Sequence, residues 1–265
     1  MKNLMFRVAV AVVGIPIILF TVMDGGWPFF LLTSIIIVIA LWEFYGLTEK
    51  KLVYPNKWGG LLAAWVISSL IFFDGVSRLS AGTFLVIFGF LMITEIWFNR
   101  PNPILNLAVT LLGIVYVGIF FSSVLLLRID YGWPVVLYLL AVVWICDTFS
   151  YFFGTAFGRH KLFPRISPNK SYEGAVAGLL GALGVAYVAH RTFFDSYTIL
   201  DTVVLACIGG GLGQLGDLLE SLMKRDAGVK DSSHLLPGHG GLLDRFDSLL
   251  ITFPLSYAYL LFIQT

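Results

Sequence analysis

The chain has 265 residues, 58% of them apolar and only 12% charged, with a mean hydropathy of +0.89 and a formal net charge of +1. A water-soluble fold of that length has nowhere to hide so much apolar surface, so the composition excludes an ordinary soluble domain and points to the membrane. A total charge this close to zero gives no reason to expect nucleic acid as a partner, and only the distribution of charge is informative.

Judged against the ~20 apolar residues needed to cross a bilayer core, nine windows read as spans. They lie at about residues 8–22, 27–42, 58–73, 81–98, 104–127, 133–153, 175–194, 202–223 and 247–263. The first follows Lys2 and Arg7 and could mimic a secretory leader, but Met23-Asp24-Gly25-Gly26 is a poor cleavage site and further spans follow. No ten-residue alternation marks a β-barrel. The expectation is therefore an all-α polytopic bundle of about nine spans. Residues 1–265 form one integral membrane domain, with the helices of 1–130 as scaffold and 131–265 carrying the site.

Lys and Arg divide fourteen to three between the two sets of loops, and the richer set includes the N-terminus. By the positive-inside bias the N-terminus is cytoplasmic and the C-terminus outside. Cys146 and Cys207 lie in apolar runs without metal-ligand spacing and read as small buried residues. Trp27, Trp58 and Trp133 stand at span ends as interfacial anchors. Glu43 and Glu95, near the cytoplasmic ends of their spans, read as snorkelling or capping residues with no function attached.

Half of the charged residues fall in two segments, 147–173 and 217–247. Asp147, Asp217 and Glu220 interrupt otherwise apolar helices, where an ion is costly, so each should meet a wet cavity, a cation or a basic partner. On a helix Asp217, Glu220, Ser221 and Lys224 share one stripe. Asp244 and Asp247 lie one turn apart around Arg245, either as a charge pair at a helix N-terminus or as ligands for Mg²⁺. Between these groups run Lys224-Arg225, Lys230-Asp231 and the glycine-rich loop with His239, Gly240 and Gly241, whose amides could approach phosphate oxygens. Paired acids beside Lys and Arg suit a nucleotide triphosphate and its metal. A literal GxGxxG at 211–216 sits inside an apolar span with no strand before it; together with Gly209/Gly213 and Gly174/Gly178 it reads as close helix packing.

The run from Ser221 through Lys224-Arg225, Lys230-Asp231, Ser233, Leu236-Pro237, His239-Gly240-Gly241 and Asp244-Arg245-Phe246-Asp247 resembles the signature of phosphatidate cytidylyltransferases. A second block, Asp147 to Gly154 followed by Ser167-Pro168-Asn169-Lys170-Ser171-Tyr172-Glu173-Gly174, is similar to that family more loosely, with Ser171-Tyr172 where Thr-Trp is expected. The resemblance implies that CTP and phosphatidic acid give CDP-diacylglycerol and pyrophosphate, with Mg²⁺ required; the surplus of carboxylates leaves room for a second cation. The enzyme would sit in a bacterial cytoplasmic membrane, its site facing the cytoplasm. Asp217, Asp244 and Asp247, then Asp147 and Glu220, are the metal candidates. Lys170, Lys224, Arg225, Lys230 and Arg245 are assigned to the phosphates. Ser171, Ser221, Asp231, Gly240 and Gly241 support them, and His239 is a hydrogen-bonding residue more than a base. Membrane lipids are the remaining partner, and the glycine faces permit a homodimer. A CTP-using lipid kinase and a secondary transporter are the competing classes.

Overall fold

A computed structural model describes residues 2–75, 81–194, 197–233, 235 and 240–264. Helices α1 (Lys2–Asp24), α2 (Gly26–Glu49), α3 (Lys57–Asp74) and α4 (Ala81–Phe98) come first. Helices α5 (Pro103–Gly113) and α6 (Phe120–Tyr131) are joined through a π-helical turn, Ile114–Ile119. After α7 (Trp133–Phe157) the chain makes a short hairpin, β1 (Lys161–Phe163) and β2 (Ser167–Ser171), then α8 (Tyr172–Thr192). A second π-helical turn, Ile208–Leu212, joins α9 (Ile199–Cys207) to α10 (Gly213–Asp226), and α11 (Leu243–Gln264) follows.

Among the described residues seven helical stretches are long and apolar enough to cross a membrane, and two shorter apolar helices cover Val12–Asp24 and Gly82–Phe98. Large apolar side chains such as Leu85, Val86, Ile96 and Phe262 stand outward, as hydrocarbon contact allows. The chain is an integral membrane protein built from helices.

Three local readings change. The sixth window, 133–153, is short by four residues, since α7 runs to Phe157, and the stretch after it forms an antiparallel hairpin that pairs Lys161 with Ser171 and Phe163 with Ser167. The last helix starts at Leu243, not 247. Cys146 is buried, whereas Cys207 is exposed, on a face of α9 that apolar surroundings can cover without protein.

The chain divides into two compact units, residues 1–130 with 226–245 and residues 131–225 with 246–265. In the first, Tyr45 of α2 is fully buried and donates from its hydroxyl to the Thr110 carbonyl oxygen at 2.8 Å. Its ring fits because Gly60 and Gly113 carry no side chain; a methyl at Gly113 would come within 2.5 Å of the ring. Asn56 caps α3 by accepting from the Gly59 amide, and the Asn56 backbone amide donates to Thr110 Oγ1 at 2.9 Å. Tyr45, Asn56 and Thr110 are thus bonded to one another in this apolar bundle.

In the second unit α7 and α8 lie in intimate contact because glycine replaces side chains along α8. A methyl at Gly174 would stand 2.8 Å from the Ser150 carbonyl oxygen, and one at Gly178 would strike the Ser150 hydroxyl and lie 2.8 Å from the Cys146 carbonyl oxygen. Helices in lipid gain their attraction from this kind of packing. Two glycines of the GxGxxG run serve α11 in the same way, Gly213 facing Thr252 and Gly216 the Asp247 carbonyl oxygen, whereas Gly211 stands in open space. Replacing Gly178 with Val should lower stability by about 1–3 kcal/mol through overpacking, read as a drop in the thermal midpoint of the detergent-solubilised protein, while Gly184→Ala, at a position open to its surroundings, should leave it unchanged.

Candidate active site

The second unit holds a polar cavity of about 610 Å³ lined by Asp147, Lys161, Asn169, Lys170, Gln214 and Asp217, among others. The local sequence explains each placement. Ser171 ends β2 and caps α8, its hydroxyl accepting from the Gly174 amide at 3.2 Å, which leaves the preceding Asn169 and Lys170 at the cavity. Glu173, in the first turn of α8, accepts from the His160 ring at 2.6 Å and from the Arg159 and His160 amides at 3.2 Å, holding the hairpin's entry strand. From the other end, Arg225 Nε donates to the Ile166 carbonyl oxygen at 3.1 Å and ties the hairpin turn to α10.

Lys170 Nζ pairs with Asp217 Oδ2 at 2.6 Å, and Ser221 donates to Asp217 Oδ1 at 3.3 Å. One helical turn on, Glu220 is fully buried and paired with Lys224. Asp247 of α11 lies within electrostatic reach of Asp217, Asp147 and Lys224. The cause is the close approach at Gly216, where a methyl would sit 2.8 Å from the Asp247 carbonyl oxygen and 3.1 Å from Ile251. Gln214 supports this arrangement, its side-chain amide donating to the Ala175 carbonyl oxygen at 3.1 Å and to that of Gly210 at 2.5 Å.

The remaining signature residues belong to the first unit. Asp244 accepts from the Ser232 amide at 3.0 Å and the Gly241 amide at 2.7 Å, and the Ser232 hydroxyl, 3.0 Å away, shares its one proton between Asp244 and Glu43. Gly240 has a left-handed φ of 81°, and a side chain there would lie 2.6 Å from Asp244 Oδ2 and close to Asp231. The glycine pair therefore accommodates carboxylates of the chain itself. Lys230, Asp231 and Arg245 are exposed. His239 lies outside the described residues.

Glu43 is the residue that the sequence left without a task. Its carboxylate is buried, 5% exposed, and accepts from the Leu242 and Leu243 amides and the Ser232 and Ser233 hydroxyls. Its position near a span end hinted at capping, but nothing in its neighbourhood named the helix it caps, 200 residues away. The sequence assigns no role to Gln214, inside a run that reads as packing, or to Asn169, which it places in the second block of the resemblance without a task.

Among the described residues no three acids, cysteines or histidines are placed to close around a metal ion by themselves. Asp217 and Asp247 offer hard oxygen ligands brought together by helix packing, which suits a Mg²⁺ ion that takes one or two carboxylates plus substrate phosphates.

Helical spans whose ends gather acids, lysines and a polar cavity are the construction of a membrane enzyme acting on charged substrates. The chain belongs to the cytidylyltransferase family, whose model matches residues 5–263. It is 35% identical to the phosphatidate cytidylyltransferase of Bacillus subtilis (strain 168) over 268 residues, 97% of each chain. Identity with the Staphylococcus haemolyticus protein of that name is 35% over 256 residues, 94% of this chain and 96% of the other. With that of Haemophilus influenzae it is 40% over 174 residues, 61% of this chain and 59% of the other.

Breaking a buried ion pair from one side leaves an uncompensated charge. Lys224→Met should therefore destabilise the protein by about 3–5 kcal/mol, and the Glu220→Leu/Lys224→Met double variant should regain most of the thermal midpoint. Turnover should not return with it.

Proposed function

We propose that this chain is a phosphatidate cytidylyltransferase of the cytoplasmic membrane, converting CTP and phosphatidic acid to CDP-diacylglycerol and pyrophosphate on the cytoplasmic face. The observation that carries the proposal for the site is the acid–base cavity of the second unit, where Lys170 and Asp217 are paired among Asp147, Lys161 and Asn169. A cavity at the ends of apolar helices can take a lipid from the bilayer and a nucleotide from water.

The lipid's phosphate monoester has a second pKa near ~6 and is already largely dianionic at neutral pH. One of its oxygens attacks the α-phosphorus of CTP in line, the bond to the bridging oxygen breaks, and pyrophosphate leaves with that electron pair. No proton has to be removed first, so the chain needs no strong general base. Its task is to bring anions together and hold them aligned. Lys170 and Lys161 bind phosphate oxygens at the cavity, and Lys170 can exchange its bond to Asp217 for one to substrate. Arg225 keeps the hairpin in place, and Lys230 and Arg245 are the exposed cations of the signature in the first unit. Asp217 and Asp247 would hold Mg²⁺, which supplies neutralisation of the triphosphate charge. Asp244 orders the loop through the amides of Ser232 and Gly241.

Purified protein incubated with phosphatidate, Mg²⁺ and CTP labelled at the α-phosphate should move label into the organic-soluble lipid. Label that stays in soluble nucleotide would refute the proposal and leave γ-phosphoryl transfer or transport. Asp247→Asn should cut this transfer by about 10²–10³-fold, the usual loss when one charge-stabilising group is removed, while membrane insertion and thermal midpoint are retained.

A further inference from the structure

Glu43 stands on α2, an apolar span, and a carboxylate buried there is tolerated only if its oxygens are well supplied with donors. Both are. Oε1 accepts from the Leu242 amide at 3.0 Å and the Ser233 hydroxyl at 2.5 Å; Oε2 accepts from the Leu243 amide at 2.8 Å and the Ser232 hydroxyl at 3.1 Å. The two amides open α11, so Glu43 does from another helix what an N-cap side chain does locally, and its negative charge meets the positive end of the helix dipole. The two hydroxyls come from the other end of the glycine-rich segment. One carboxylate thus fastens residues 232–233 to residues 242–243.

The same contacts reach the acids of the signature. Ser232 gives its backbone amide to Asp244 at 3.0 Å, and its hydroxyl, with a single proton to share, stands 3.1 Å from Glu43 Oε2 and 3.0 Å from Asp244 Oδ2, linking the two carboxylates. Gly241 is bare because a side chain would strike the Ser232 hydroxyl and lie 2.5 Å from Glu43 Oε2, and Gly240 is enclosed by Asp244 and Asp231. We infer that Glu43 is a positioning residue for cytidylyl transfer: it sets where the signature loop holds Asp244, Asp231 and Lys230 without touching substrate. This inference rests on the function proposed above.

A carboxamide has one acceptor oxygen, and its NH₂ group would face two of the four donors. Glu43→Gln is therefore expected to lower kcat by about 10²-fold, the scale of an ångström-sized misplacement, with KM for CTP and phosphatidate within about twofold of wild type. Hydrogen exchange should show faster amide exchange at Leu242 and Leu243, with α3 unchanged. Ser233→Ala, which removes one donor and spares the carboxylate, should give a smaller loss in the same pattern and serves if Glu43→Gln does not fold. Unchanged kcat in a folded Glu43→Gln protein would overturn the inference. So would a loss that disappears when the assay is run well below that variant's thermal midpoint, since Glu43 would then act on stability alone. If wild-type protein transfers no label from CTP to phosphatidate, the proposed function fails, while the exchange at Leu242 and Leu243 still decides whether Glu43 holds the loop.

Discussion

An ionised side chain within an apolar span must be answered by an opposite charge or by enough donors, because hydrocarbon offers it neither. The protein uses both answers, and they have different consequences. Glu220 is answered by Lys224 within a buried pair, and Asp217 by Lys170, a charge at the cavity that can be lent to another anion. Glu43 is answered by two amides and two hydroxyls, groups that have no charge to lend. The first kind of answer makes a place where phosphates can compete; the second makes a fixed joint.

Close approach of backbones decides where those charges end up. Gly174 and Gly178 bring α8 against α7, so Lys170, just before α8, shares a cavity with Asp147 of α7. Gly216 brings α10 against α11, and the adjacent Asp217 comes near Asp247. In a membrane, where no hydrophobic force presses helices together, glycine contacts supply the packing energy. The same residues are therefore responsible for cohesion and for the electrostatics of the cavity.

Much of this was legible in the amino-acid order. Long apolar windows locate the helices because a span must satisfy its own backbone, and carboxylates at 147, 217 and 220 stand out because the surrounding helices are otherwise apolar. The run from Ser221 to Asp247 carries the family resemblance. Less was legible where the partner is remote. The pairing of Lys170 with Asp217 joins residues from a hairpin and a helix, and a hairpin of three- and five-residue strands leaves no periodic trace. Glu43 accepts from donors about 190 to 200 positions along the chain, and a lone acid at a span end does not say what it faces. The glycines at 240 and 241 were read as room for phosphate, since chain order cannot distinguish an absent side chain that admits substrate from one that admits the protein's own carboxylates.

The π-helical turn at Ile208–Leu212 acts as a phase setting for the helix beyond it. A residue inserted into an α-helix rotates the remainder of that helix by about 100°, because 3.6 residues complete a turn. With the wider turn in place, Asp217 points at Lys170 and Gly216 at α11. Evolution could lengthen or trim many of the connecting loops at little cost, but shortening this glycine stretch by a single codon would swing the acid away from its partner and present a side chain where the helices need a gap. Residue count, and not only residue identity, is under constraint there.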